Sequence, residues 1–133
     1  MVLDTSVLIA ILMSEPEARA IATILATADK RLLSAASLLE TSIVIESRHG
    51  LAGGEKLDEL IQTAQIKIEP VTHEQVTAAR LAYRTYGKGR HPDGLNFGDC
   101  FAYALAKTTG EPLLFKGKDF NQTDIPIVPY SQP

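Results

Sequence analysis

Hydrophobic positions along the chain switch between short unbroken apolar runs and stretches where they recur every third or fourth residue, a pattern that predicts strands and helices in turn. Val2-Leu3 runs into Asp-Thr-Ser, the form of a short strand meeting a helix, with Thr5 or Ser6 able to cap the apolar run 7–13. Glu15-Pro16-Glu17 opens a second helix, carrying Ile21, Ile24, Leu25 and Ala28 at helical spacing. Residues 31–34 read as a strand. Ser37-Leu-Leu-Glu40 has the form of a capping box, starting a helix that reaches about residue 48. Gly50, Gly53 and Gly54 are expected to break the chain before a further helix at 55–64. Residues 66–71 alternate like a strand that Pro70 ends, and Thr72-x-x-Gln75 caps another helix. The stretch 86–98 is the least regular. A helix follows from Asp99 to Thr109, closed by Gly110, and residues 112–115 and 125–128 are the last two strand candidates.

Strands alternating with helices imply an α/β fold, a central parallel sheet of four to five strands flanked by helices in three layers, α/β/α. The 133 residues fit a single domain, 1–133, since domains commonly hold roughly 100–150 residues. The lone Cys100 cannot form an internal disulfide, which fits a reducing compartment. Asp4 stands where a signal peptide would carry basic residues, and no apolar run approaches the roughly 20 residues that span a bilayer. These features lead us to expect a cytoplasmic protein with no membrane partner.

Charge changes the picture locally. The net charge is −3, but residues 1–79 carry 6 Lys/Arg against 11 Asp/Glu, whereas residues 80–118 carry 7 against 3. The basic set is Arg80, Arg84, Lys88, Arg90, Lys107, Lys116 and Lys118. Such a segment can contact phosphates within an acidic chain, or simply form solvated faces.

Candidate chemistry rests on four acids. Asp4 follows the first strand, at the end where open α/β sheets bind ligands, although it could equally cap a helix. Glu40 sits among Leu38, Leu39, Ile43 and Val44, where an unpaired carboxylate is costly to bury, but a capping box with Ser37 also explains it. Asp99 begins a helix and could be its N-cap. Asp119 follows the strand 112–115 and could be a turn residue. Together, four acids at strand ends and helix starts repel one another and call for a cation. With no partnered His or Cys, they select Mg²⁺, with Mn²⁺ as a substitute, over Zn²⁺. Such ions activate water and stabilise the transition state of phosphodiester hydrolysis. His49, His73 and His91 lack zinc spacing, and no phosphate-cradling glycine motif is present. Cys100 reads as a small buried hydrophobe. A phospho-acceptor receiver domain would want an adjacent acidic pair after the first strand, where this chain has Val2-Leu3 before a single Asp4.

Four blocks, Val2-Leu3-Asp4-Thr5-Ser6, Leu39-Glu40, Asn96-Phe97-Gly98-Asp99-Cys100 and Leu114 to Phe120, resemble in order and spacing the PIN-domain ribonuclease toxins of the VapC family, from type II VapBC toxin–antitoxin systems. The resemblance covers essentially the whole chain. It implies that Asp4, Glu40 and Asp99 are metal-site acids, with Asp119 as the more variable fourth. It also implies that Thr5 or Ser6 orders the site, that Asn96 supports it, and that Asp124 is a turn-capping residue or a fifth acid. The implied activity is cleavage of structured RNA, tRNA or rRNA, by a homodimer that a cognate VapB-type antitoxin neutralises. Arg80, Arg84, Lys88, Arg90, Lys116 and Lys118 are the candidate RNA contacts. A non-catalytic module that only pairs with a partner protein is the competing expectation, and the complete set of four acids argues against it.

Overall fold

The computed structural model describes residues 1–89 and 94–132. Its elements, in order, are β1 (Val2–Leu3), α1 (Thr5–Leu12), α2 (Ala18–Thr27), β2 (Leu32–Ser34), α3 (Ala35–Thr63), β3 (Lys67–Glu69), α4 (His73–Tyr86), α5 (Asp99–Thr109) and β4 (Leu113–Leu114). The strands form one parallel sheet in the order β3-β2-β1-β4.

Side chains along a strand alternate between the two faces, and in β1, β2 and β4 both faces are buried, whereas the edge strand β3 is partly exposed. Val2, Leu32 and Leu113 join Leu105, Ala106 and Phe120 in one core cluster, beneath α4 and α5. Leu3, Leu33 and Leu114 point the other way, into a second cluster with Leu8, Ile21, Ile45 and Leu57 from α1, α2 and α3. The expected three layers follow from this: a two- or three-residue apolar strand can be stabilised only by helices on each side. Fully burying one such Leu is worth roughly 1.5–3 kcal/mol.

Several local expectations are corrected. Asp4 itself caps α1, accepting from the Ser6 N–H at 3.1 Å, so neither Thr5 nor Ser6 is the cap. α3 starts one turn earlier than the Ser37 motif suggested, because Ser34 caps it through the Ala36 N–H at 3.2 Å. Ser37 is buried inside the helix and Glu40 is released from any capping box. Of the three glycines expected to break the chain, only Gly50 leaves helical geometry, at φ 66°, and the helix resumes after this kink. A side chain at Gly53 would come within 2.8 Å of the Ile45 carbonyl, so its role is close packing of the two helical arms. Residues 125–128 make a single parallel bridge, Leu113 to Ile127, in place of a full strand.

The strand order reverses between β1 and β4: the chain builds outward from β1 through β2 to β3, then returns to the opposite side of β1. That reversal opens a crevice at the carboxyl ends of the strands, the usual ligand position in open α/β sheets.

Candidate metal centre

Asp4 leaves β1 at this crevice, its N–H bonded to the Leu114 carbonyl of β4 at 3.0 Å. Asp119 lies in the segment after β4, Glu40 on the first arm of α3, and Asp99 is the first residue of α5. All four line one cleft of about 360 Å³, together with Thr5, Ser6, Ile9, Glu15, Lys116 and Gly117. Side chains from four separated segments therefore meet where β1 and β4 end.

Each acid is held by short-range contacts. The Thr5 hydroxyl donates to Glu40 Oε1 at 2.7 Å, joining α1 to α3 across 35 residues. A Cβ on Gly98 would overlap the Glu40 carboxylate, so glycine is what lets the α5 start approach this side chain. Asp99 is not the helix cap that its position suggested: Gly98 occupies that place, and Asp99 pairs reciprocally with Asn96. The Asn96 N–H donates to Asp99 Oδ2 at 3.0 Å and the Asp99 N–H donates to Asn96 Oδ1 at 2.9 Å. Asn96 thus orients an acid of the cleft.

The electrostatics are those of an under-neutralised cluster. Burial pushes the Asp4 carboxyl up to about 6, and Glu40 and Asp119 add to the rise, against the hydrogen bonds from Ser6. Burial also pushes Asp99 up, to about 8, with Asp4 and Asp119 contributing and the Asn96 N–H opposing. Protons therefore collect where carboxylates crowd without a cation. The donor set is all oxygen, and a hard divalent cation would displace those protons, so the residues suit one by their chemistry. Among the described residues, however, no three Asp, Glu, His or Cys side chains are drawn together as a ready-made cage for an ion. The acids line the walls of an open cleft.

Other expected site residues scatter. The Ser6 hydroxyl stays with the site: it hydrogen-bonds the Asp4 carboxylate, opposing the rise that burial causes, and it accepts the Lys116 N–H at 2.9 Å. Lys116 lies in the cleft lining, but its ammonium is committed to Glu15 at 2.8 Å and Glu17 at 3.0 Å. Arg80, Arg84 and Lys88 are exposed on α4 and just beyond it, and Lys118 is exposed beside Asp119. Arg90 lies outside the described residues. Asp124 is not in the cleft: it accepts from the Tyr103 hydroxyl at 2.5 Å and Lys107 Nζ at 2.7 Å, fastening its segment to α5. Sequence reasoning missed Glu15, Glu17 and Gly98. The Glu-Pro-Glu spacing was absorbed by its helix-start meaning, and nothing local marked Gly98 as a close-approach position.

The family model for the PIN domain matches residues 1–126. Ribonuclease VapC of Mycolicibacterium smegmatis is 55% identical over 128 residues, covering 96% of this chain and 99% of that protein. Among solved structures, Mycobacterium tuberculosis VapC20, a Sarcin-Ricin loop cleaving toxin, superposes with a TM-score of 0.75 at 18% identity, covering 96% of this chain and 97% of its own. A toxin-antitoxin complex from Klebsiella pneumoniae gives a TM-score of 0.72 at 17% identity, covering 98% of each chain. The two structural likenesses establish the fold.

Proposed function

As the chain belongs to the PIN-domain family, we propose that it is a Mg²⁺-dependent endoribonuclease, the toxin of a VapBC pair, acting through Asp4, Glu40, Asp99 and Asp119. The ribonuclease assignment follows from the family match and from 55% identity along nearly the whole of a VapC ribonuclease. The observation that carries the site is the convergence of four carboxylates from four separate segments on one cleft at the ends of β1 and β4.

Asp4, Asp99, Glu40 and Asp119 would hold the cation. The chemistry it supplies when bound is activation of a water and neutralisation of phosphate charge, for which Mn²⁺ substitutes. The rest falls to this chain's own side chains. Asp4 and Asp99 present buried carboxylates on rigid ends of β1 and α5. Thr5 aims Glu40 into the cleft and Asn96 fixes the rotation of Asp99. Arg80, Arg84, Lys88 and Lys118 are exposed cations suited to the phosphates of a structured RNA, tRNA or rRNA. A cognate antitoxin is supported by the likeness to the Klebsiella pneumoniae complex. Homodimerisation is supported by the apolar groove between α4 and α5, lined by Val76, Tyr83, Phe97 and Phe101, with Phe97 78% exposed.

The test is cleavage-site mapping on total cellular RNA, comparing wild type, Asp4→Asn and Asp99→Asn with Mg²⁺ and with chelator. Defined cuts that need Mg²⁺ or Mn²⁺ and disappear in both folded variants are expected. Cuts that persist in both variants would remove the four-acid site as the source of activity.

A further inference from the structure

Lys116 lines the same cleft as the four acids, yet its ammonium does not face them. It is held by Glu15 Oε1 at 2.8 Å and Glu17 Oε2 at 3.0 Å, both from the connection between α1 and α2. Glu17 is 6% exposed, one of three buried carboxylates among the described residues along with Asp4 and Asp99. A buried carboxylate needs a counter-charge or a dense set of hydrogen bonds. Glu17 Oε2 has no hydrogen bond of good geometry, so the ion pair with Lys116 is what balances it. The backbone beneath is anchored too. The Lys116 N–H donates to Ser6 Oγ, two residues from Asp4, and the Gly117 N–H donates to Gln132 Oε1 at 3.1 Å.

An ammonium released from Glu15 and Glu17 would remain in a cleft whose other carboxylates are Asp4, Glu40, Asp99 and Asp119. It would then occupy, as an internal cation, the charge that the acids otherwise hold open.

Resting on the divalent-cation reading of the cleft, we propose that Glu15 and Glu17 form a clamp that holds the Lys116 ammonium off the four acids and so keeps the cleft available to a divalent cation. Glu15 and Glu17 are positioning residues in this scheme. They act through Lys116.

The test is Mn²⁺ binding followed by paramagnetic resonance on the full-length, folded protein, with the thermal transition recorded for every variant. Releasing Lys116 in Glu15→Gln/Glu17→Gln should weaken Mn²⁺ binding about ten-fold. Adding Lys116→Met to that double variant should restore affinity to within about two-fold of wild type, because the competing ammonium is gone. If the loss of buried Glu17 prevents folding, Glu15→Gln alone should weaken binding about three-fold, again reversed by Lys116→Met. Unchanged affinity in the glutamine variants, or no recovery on adding Lys116→Met, overturns the clamp. A wild type that binds no Mn²⁺ would instead overturn the metal reading on which the clamp rests, so the two failures are distinguishable.

Discussion

Two acids near the carboxyl end of this chain, Asp124 and Asp119, stand in opposite surroundings. Asp124 is surrounded by donors. Burial works against its charge, but the hydrogen bonds from Lys107 and Tyr103 hold its carboxyl below the usual carboxylate range, and Lys107 is raised in return. Burial, then Asp124, pushes the Tyr103 hydroxyl up. Five positions earlier, Asp119 faces the cleft, where the neighbours of Asp4 and Asp99 are other carboxylates and both groups rise. Burial works against the charge of Asp124 as it does against those of Asp4 and Asp99. The sign of the neighbour decides whether a carboxylate becomes a fastening or a reservoir of unspent negative charge. The first arrangement is complete as it stands. The second calls for a cation.

The comparison is broken most severely by removing cleft charge. Asp4→Asn or Asp99→Asn should reduce RNA cleavage by roughly 100-fold or more, in line with losing one preorganised electrostatic group from an active site. The metal-free Asp99→Asn variant should nevertheless melt higher than wild type at pH 8, since a repelling charge is gone and the new amide oxygen can still accept the Asn96 N–H. A lower melting temperature at that pH would contradict the crowded-charge reading.

Proton linkage gives the next effect. The Asp4 and Asp99 carboxyls are raised in the folded protein, so it binds more protons than the unfolded chain between about pH 4 and 8. Stability contributed by the protonated acids is therefore present at low pH and lost as pH rises through their folded values. For Asp4 the loss is on the order of 3 kcal/mol. Thermal melts in chelator should fall from pH 5 to pH 8.5, and Mg²⁺ or Mn²⁺ should oppose that fall most at the alkaline end, where protons no longer compete. A metal-free profile that is flat or rises across this window would exclude it.

A smaller change tests the geometry alone. Gly98→Ala puts a methyl group into the Glu40 carboxylate, which is the end of a flexible side chain and can swing aside. Folding stability should change by less than about 1 kcal/mol, whereas cleavage should fall about ten-fold as Glu40 loses its place beside Thr5. Equal losses of stability and activity would point to a packing role only. The smallest effect belongs to the Asp124 corner: Lys107→Met should lower the thermal midpoint slightly and leave Mn²⁺ affinity and cleavage at wild-type levels. A change in metal affinity there would join the two regions that the structure separates.

Parts of this molecule were legible before any coordinates. The Thr72-x-x-Gln75 cap stands as expected, with the Gln75 N–H on Thr72 Oγ1 at 3.2 Å, because the cap and the group it satisfies are three residues apart. The Ser37 motif failed for an instructive reason. Ser34 offers the same chemistry one turn earlier, at the end of β2, and the strand's register fixes where the helix can begin. The three glycines after residue 49 misled in a similar way: a glycine that bends the backbone and one that admits a neighbouring helix look alike in a sequence.

The sequence by itself determined that strands and helices alternate, that the strand at 66–71 is apolar on one face only, and that the acids stand at strand ends and near helix starts, since each of these is a local pattern or a property of residue type. The tertiary structure alone decided which acids share a cleft. It brought Thr5 to Glu40 and Lys116 to Glu17, and it sent Asp124 away to Tyr103 and Lys107. Those partners are separated by many residues and are chosen by the order in which parallel strands assemble. The physical reason is that the charge state of a carboxylate depends on burial and on neighbours within a few ångströms, and the sheet order β3-β2-β1-β4 is what supplies them.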